Sequence, residues 1–408
     1  MSTETKKSLV PKLRFPEFRG AEGWECGQLD GALLSISNGL VLEQSSDTSG
    51  FKVTRIETIS AGTIDLEKVG LVKTSQDIST YKLQVGDILL SNINSIAHIG
   101  KSVFVDRDYD LYHGMNLLRL GVNSSKHSSQ FIYYLINTDG IRASLRERAN
   151  KAVNQASINQ TELGKTEVAL PLKPEQQKIA NCLSSLDELI SAQALKVEAL
   201  KTHKKGLMQQ LFPREGETQP GLRFPEFQNS GMWETRLLGD VVKSFKTGKL
   251  DANAMVENGQ YRFYTCAKNH YQIDHYAFEG EALLVAGNGA HLGYIHHYIG
   301  KFNAYQRTYV LQQFKANVIF IRCLLDRYLP ARILFEKKDG NTPYIVLSTL
   351  TDMPLVIPTD MKEQERIADC LTSLDSLITA AIYELETLKT HKKGLMQQLF
   401  PAVEGFDV

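Results

Sequence analysis

Apolar residues recur at alternating steps of four and three along two long stretches of this chain. In the first they are Ile179, Leu183, Leu186, Ile190, Val197, Leu200, Leu207 and Leu211, and in the second Ile367, Leu371, Leu374, Ile378, Ala381, Leu385, Leu388, Leu395 and Leu399. A mean spacing of 3.5 held over about five heptads predicts coiled-coil helices rather than the faces of single-domain helices. About 37 residues at 1.5 Å each make a rod of roughly 55 Å. Gln193, Lys204 and Lys392 interrupt the seam, and polar seam positions cost stability but can fix register. Gly206 and Gly394 each cost about 1 kcal/mol in a helix.

The pattern between these stretches is different. Phe51–Ile56, Asp87–Ser91, Lys101–Val105 and Thr166–Leu170 read as strands, and Ser128–Leu145 carries helical spacing through Phe131, Leu135, Ile136, Ile141 and Leu145. Further on, Glu281–Ala286 stands where the Asp87 strand stood, Gly293–His296 answers Gly100–Val103, and Asn317–Leu334 answers the Phe131 helix. Alternating strand and helix signals of this kind predict two mixed αβ domains of one fold.

The two halves also share sequence. Leu200–Pro213 returns unchanged as Leu388–Pro401, fourteen identical residues at an offset of 188, and Glu175–Asp187 returns with substitutions as Glu363–Asp375. A second box, Leu13-Arg14-Phe15-Pro16-Glu17-Phe18 with Trp24 beyond it, returns as Leu222 to Phe227 with Trp233 at an offset of 209. The borders are therefore alike and the interiors divergent. Helix one is followed by a box, and the box that would follow helix two stands at the N-terminus, so the order is circular. Antiparallel pairing of the two helices within one chain satisfies it, with a pseudo-two-fold axis and partners that bind twice. The expected segments are a disordered tail over 1–12, a domain over 13–173, a helix over 174–213, a second domain over 222–358 and a second helix over 361–401.

Composition adds little to this. Lys plus Arg equals Asp plus Glu at 46 each, so no global basic charge points to nucleic acid. No apolar run is long enough to span a membrane, and the N-terminus has no signal-peptide core. The five cysteines lack CxxC pairing, which fits reduced thiols in a cytoplasmic protein.

The arrangement resembles the specificity subunit of type I restriction–modification enzymes. The resemblance rests on two divergent domains alternating with two conserved helices, and on Pro-x-x-x-Glu-Gln-x-x-Ile-Ala at Pro171–Ala180. It rests also on Gly-Asp-Ile-Leu at Gly86–Leu89 with Gly100-Lys101 following. The second copy departs from it, with Pro358–Ala368 relaxed, Gly280-Glu281-Ala282-Leu283 in place of Gly-Asp-Ile-Leu, and Tyr294 after Gly293. The resemblance implies an α+β chain of two target-recognition domains separated by two long antiparallel coiled-coil helices. It implies a non-catalytic subunit that directs restriction and adenine-N6 methylation to a bipartite, asymmetric DNA site. Each domain reads one half and the helix pair sets the gap. The implied partners are double-stranded DNA, two modification subunits and restriction subunits, which would supply S-adenosylmethionine, ATP and Mg chemistry. The alternative is a coiled-coil scaffold whose αβ modules bind peptides or sugars.

Base readers are expected to be polar side chains on loops, with basic residues on phosphates. In the first domain these are Asn92, Asn94, His98, Lys101, Arg148, Lys151, Asn154 and Gln155. In the second they are Asn288, His291, Tyr305, Gln306, Arg307, Lys337, Lys338 and Asn341. Lys52, Lys246, Lys249 and Lys268 are phosphate candidates. Catalytic motifs fail in detail. Asn341-Thr342-Pro343-Tyr344 is one residue from an adenine methyltransferase motif but carries Thr342, and is read as a turn before a strand over Tyr344–Leu347. Gly164-Lys165-Thr166 lacks the first glycine of a P-loop, and Gly287–Gly293 is misspaced for a dinucleotide loop. His270, His275, His291, His296 and His297 have no cysteine or carboxylate spacing that completes a metal site.

Overall fold

The computed structural model describes residues 8–43, 50–96, 98–152, 155–214, 216–336 and 344–401. The chain forms two compact units, Met1–Gln193 with Glu384–Val408, and Ala194–Tyr383. Each long stretch is one continuous helix, Lys173–Leu211 and Met361–Leu399. Unit one thus holds the start of the first helix and the end of the second, and unit two holds the converse.

Within each unit the two helix segments run antiparallel. In unit one Lys392 Nζ donates to Asp187 Oδ1 at 2.5 Å and Gln193 Nε2 to Glu384 Oε2 at 2.8 Å, so one number rises as its partner falls. In unit two Lys204 Nζ donates to Asp375 Oδ1 at 2.6 Å. All three polar interruptions of the seam therefore have partners across it. Ile179, Leu183 and Leu186 are buried in unit one, and Val197, Leu211, Ile367 and Leu371 in unit two. Lys204 is 22% exposed and Asp375 46%, so water screens their attraction. Lys204→Met should shift the stability of unit two by less than about 1 kcal/mol in urea denaturation.

The main sheets of the two units share one plan. Unit one has a four-stranded antiparallel sheet in the order Leu33–Asn38, Leu117–Val122, Ile88–Ser91, Ser102–Phe104. Unit two repeats that order with Val242–Thr247, Thr308–Phe314, Phe278–Ala286 and Ile295–Ala304, and adds Tyr261–Tyr264 and Tyr271–Ile273 at one edge. One sheet face packs on helix in both: Phe131 and Leu135 in unit one, Phe320 and Leu324 in unit two, all at most 4% exposed. Gly39 and Gly248 end the first strand of each sheet. A Cβ there would meet a carbonyl oxygen at 1.8 Å (Gly114) or 1.7 Å (Ala304), so only glycine fits.

Sequence expectation and structure part at four places. Ser8–Leu9 pairs with Trp24–Glu25, so the expected disordered tail is ordered from residue 8. The single helix expected over Ser128–Leu145 breaks into Ser129–Ile136 and Asp139–Arg148. At the break the Asn137 amide donates to Tyr133 O and Ser102 Oγ and Thr138 Oγ1 donates to Leu135 O, polar groups competing with the helix ladder. Phe51–Val53 is a strand but Ile56–Ile59 is a helical turn. Tyr344–Val346 is not strand, and Leu347–Thr351 is a short helix whose counterpart is Gln160–Gly164.

The repeated motifs meet in a buried clamp. Arg14 Nε and Nη2 donate to the two carboxylate oxygens of Glu175 at 2.8 and 2.7 Å, and Trp24 Nε1 adds a third donor at 3.3 Å. Arg14 spends its other donors on Ala21 O and Glu22 O. Unit two repeats the set with Arg223, Glu363 and Trp233, and with Ser230 O and Gly231 O. The next residue is a second pin. Gln176 accepts from Ser128 N and donates to Pro171 O, and Gln364 accepts from Asn317 N and donates to Pro358 O. Leu13 N donates to Gln398 O as Leu222 N does to Gln210 O, both at 2.9 Å. The N-terminal box thus sits on the end of the second helix as its copy sits on the end of the first.

Candidate nucleic-acid interface

In unit one the central strand Ile88–Ser91 is fully buried and the chain leaves the sheet at Asn92. Ile93–Asn94 then pairs with Gln155–Ser157, which pairs with Asn150–Ala152, making a small antiparallel sheet. This brings Asn94, Lys151 and Gln155 together from positions far apart in sequence. Lys151 and Gln155 are exposed and Asn94 is half-buried. His98 Nδ1 lies 2.9 Å from Ser95 Oγ, and Lys101 Nζ donates to Ser60 O at 3.3 Å. Asn94, His98 and Lys101 line a cavity of about 210 Å³ against the Ile56–Ile59 turn.

Other candidates in unit one are placed differently. Asn92 is only 8% exposed. Its carbonyl accepts from Ile158 N at 2.9 Å and its Nδ2 donates to Ile158 O at 3.4 Å, while its Oδ1 is buried without a partner among the described residues. Asn92 is thus largely buried and braces the small sheet from beneath. Arg148 is held at a helix end, donating to Ser144 Oγ at 3.4 Å with Glu162 at 3.9 Å. Lys52 is exposed on a separate two-stranded sheet with Gly70–Val72. Asn154 lies outside the described residues, as do Lys337, Lys338 and Asn341.

In unit two the central strand ends at Ala286, and Gly287 takes the place of Asn92. Ile345 N donates to Gly287 O at 2.9 Å as Ile158 N does to Asn92 O. Asn92 therefore corresponds in place to Gly287, one residue before Asn288. A Cβ at Gly287 would come 2.4 Å from Arg307 O, so no side chain fits there. Asn288 and His291 occupy the turn before Ile295–Ala304, closed by Gly293 N donating to Ala286 O at 2.8 Å. Leu250 bridges Tyr305, and Gln306 donates from its backbone to Leu250 O and from Nε2 to Asp251 Oδ1, which sets Lys249 beside Tyr305 and Gln306. Cys266 Sγ donates to Arg307 O at 3.4 Å, tying the Lys268 loop to Arg307. Lys246 is exposed on the edge strand opposite Val310.

One cluster escaped the sequence reading as a unit. His296 lies between Tyr264 and Tyr294 with ring centroids at 4.9 and 4.8 Å, tilted against the first and edge-on to the second, and His270 lies 5.9 Å from Tyr264. Ala267 O can only accept, so His296 Nε2 carries the proton in their 2.9 Å contact and Nδ1 is left as an acceptor. Burial lowers the pKa of His296, which keeps the ring neutral. The signal was the period-two run Tyr294, His296, Tyr298, three rings on one strand face. Among the described residues no group of three or more His, Cys, Asp or Glu could hold a metal ion. All five cysteines are free. Gly164-Lys165 ends the helix Gln160–Gly164, which Asn159 caps at its start.

The family model for the type I restriction modification DNA specificity domain matches residues 22–201 and 231–387. The chain belongs to this specificity family. The two matched stretches each combine one recognition fold with one long helix. Relatives in the family include the protein named as the MjaX type I restriction enzyme specificity subunit of Methanocaldococcus jannaschii, 42% identical over 196 residues, 47% of this chain and 46% of that protein. The EcoDI type I restriction enzyme specificity subunit of Escherichia coli is 40% identical over 166 residues, 40% of this chain and 36% of its own length. The matched part therefore spans less than half of either relative. The type I restriction–modification S subunit of M. genitalium shares the fold, with TM-score 0.68 and 20% identity over 97% of this chain and 100% of that one. Among the described residues of this family member, no helix is long and apolar enough to cross a membrane.

Proposed function

We propose that this chain is the DNA-reading subunit of a type I restriction–modification enzyme, with each unit reading one half of a bipartite site and the paired long helices setting the gap. The observation that carries the reading is the doubled specificity domain, in which both copies gather Asn, Gln, Lys and His side chains where the central strand leaves the sheet. Asn94, Lys151 and Gln155 meet there in unit one. Lys249, Tyr305, Gln306 and Arg307 meet there in unit two, with Asn288 and His291 in the adjoining turn. Such groups serve base edges, and the lysines serve phosphates. A net charge of zero is compatible with binding confined to these two patches.

The chemistry would belong to partners. Two modification subunits would dock through the repeated borders, where Leu200–Pro213 and Leu388–Pro401 offer the same residues twice. They and the restriction subunits would bring S-adenosylmethionine, ATP and Mg in a cytoplasmic complex. The scaffold alternative is separated by salt, because DNA binding that releases counterions weakens steeply as salt rises. The decisive experiment is a methylome of cells carrying the chain with its modification subunit. A two-part adenine motif is expected. Exchange of residues 233–357 with those of another family member should change one half of that motif and leave the other intact. A continuous motif, or a change in both halves, refutes the assignment.

A further inference from the structure

We propose that the ribbon of Asn150–Ala152 and Gln155–Ser157 is the element of unit one that enters the major groove, with Asn150 and Gln155 on base edges, Lys151 on phosphate, and Asn92 as the positioning residue beneath it. This rests on the DNA-reading function proposed above. The register fixes the faces. Asn150 is opposite Ser157 and Ala152 opposite Gln155, so Asn150 and Gln155 share one face, while Lys151, Ala156 and Asn94 form a row on the other. Ala156 is 2% exposed, so its face is turned to the protein, and Asn150 and Gln155 look outward and are exposed. The outward pair is two carboxamides. An amide presents a donor and an acceptor side by side, the pattern that adenine offers through N6 and N7 in the major groove. A two-stranded ribbon fits that groove, about 12 Å wide. Lys151, on the opposite face of the outer strand, is exposed at its rim.

The ribbon must also be held. Its root is Ile158, gripped by Asn92 through the backbone at 2.9 Å and through Nδ2 at 3.4 Å. Asn92 keeps a buried Oδ1 with no partner among the described residues, and alanine would remove that group together with the grip. Gly287 at the same place in unit two offers no side-chain grip.

The test uses the chain in complex with its modification subunits on duplexes bearing its methylation motif. Replacing the purines of each half in turn by 7-deaza purines removes the N7 acceptors of the major groove and little else. Wild type should lose about tenfold in affinity when one particular half is substituted, the effect of one good amide–adenine pair. Asn150→Ala with Gln155→Ala should show that loss on natural DNA and lose nothing further on 7-deaza DNA in that half. Asn92→Ala should blunt the 7-deaza effect in the same half with the salt slope unchanged. The ribbon assignment is overturned if the double variant stays as sensitive as wild type, or if 7-deaza substitution costs nothing in either half. Equal losses in both halves would strip Asn92 of its positioning role. No salt-dependent binding to any duplex would sink the DNA-reading function itself.

Discussion

Replacing Glu175 by alanine should lower the stability of unit one by roughly 3–5 kcal/mol, because it strands a buried guanidinium. The Arg14 side chain is 7% exposed and that of Glu175 2%, so neither charge can turn to water when its partner is lost. The indole of Trp24 loses its acceptor in the same step. Removing both charges is a different matter. Arg14→Leu with Glu175→Leu should cost much less than Glu175→Ala, since an apolar pair can replace a buried ion pair at little net loss. The chain has two tryptophans, and each lies in one clamp, Trp24 in unit one and Trp233 in unit two. Fluorescence-detected urea denaturation of Trp24→Phe and Trp233→Phe backgrounds therefore reports the units separately. A Glu175→Ala loss of under 1 kcal/mol would show the clamp to be solvated and the account of the box wrong.

The second large effect is one of acidity. His113 is fully buried, its Nε2 donating to Leu117 O at 3.0 Å and its Nδ1 without a partner among the described residues. Burial pushes its pKa down from 6.5 to about 4, with the bond to Leu117 O opposing and the Arg119 charge adding slightly. The fold thus favours the neutral ring, while the unfolded chain takes up its proton first. The contribution is fully present above about pH 6.5 and is lost as the pH falls towards 4, to a total of roughly 3 kcal/mol. His113→Leu should be less stable at pH 7, since Leu117 O loses its donor, but should flatten the dependence between pH 7 and 4.5. An unchanged slope in unit-one denaturation would exclude His113 as its source.

How far the sequence carried these results depends on how far apart the interacting groups lie. The heptads were legible because a seam is a local periodicity, and the polar seam positions were legible as exceptions to it. The purpose of the Leu-Arg-Phe-Pro-Glu-Phe box was not. Its arginine meets a glutamate 161 residues later, and no local pattern carries that distance. The burial of Asn92 was not legible either: one strand end looks much like another until Ile158 is seen closing over it. Ser128–Leu145 has unbroken helical spacing, yet Asn137 and Thr138 turn their side chains onto the backbone and end the helix. The aromatic cluster around His296 needed pairing of strands as well as their pattern, because Tyr264 comes from a neighbouring strand.

The joint at the start of each long helix has a mechanical consequence. Glu175 and Gln176 fasten the first helix to Arg14, Trp24, Ser128 and Pro171 at once. A joint with so many attachment points does not swivel. When something pushes on the helix, the recognition sheet of that unit must turn with it, and bending has to be taken up along the helix shaft.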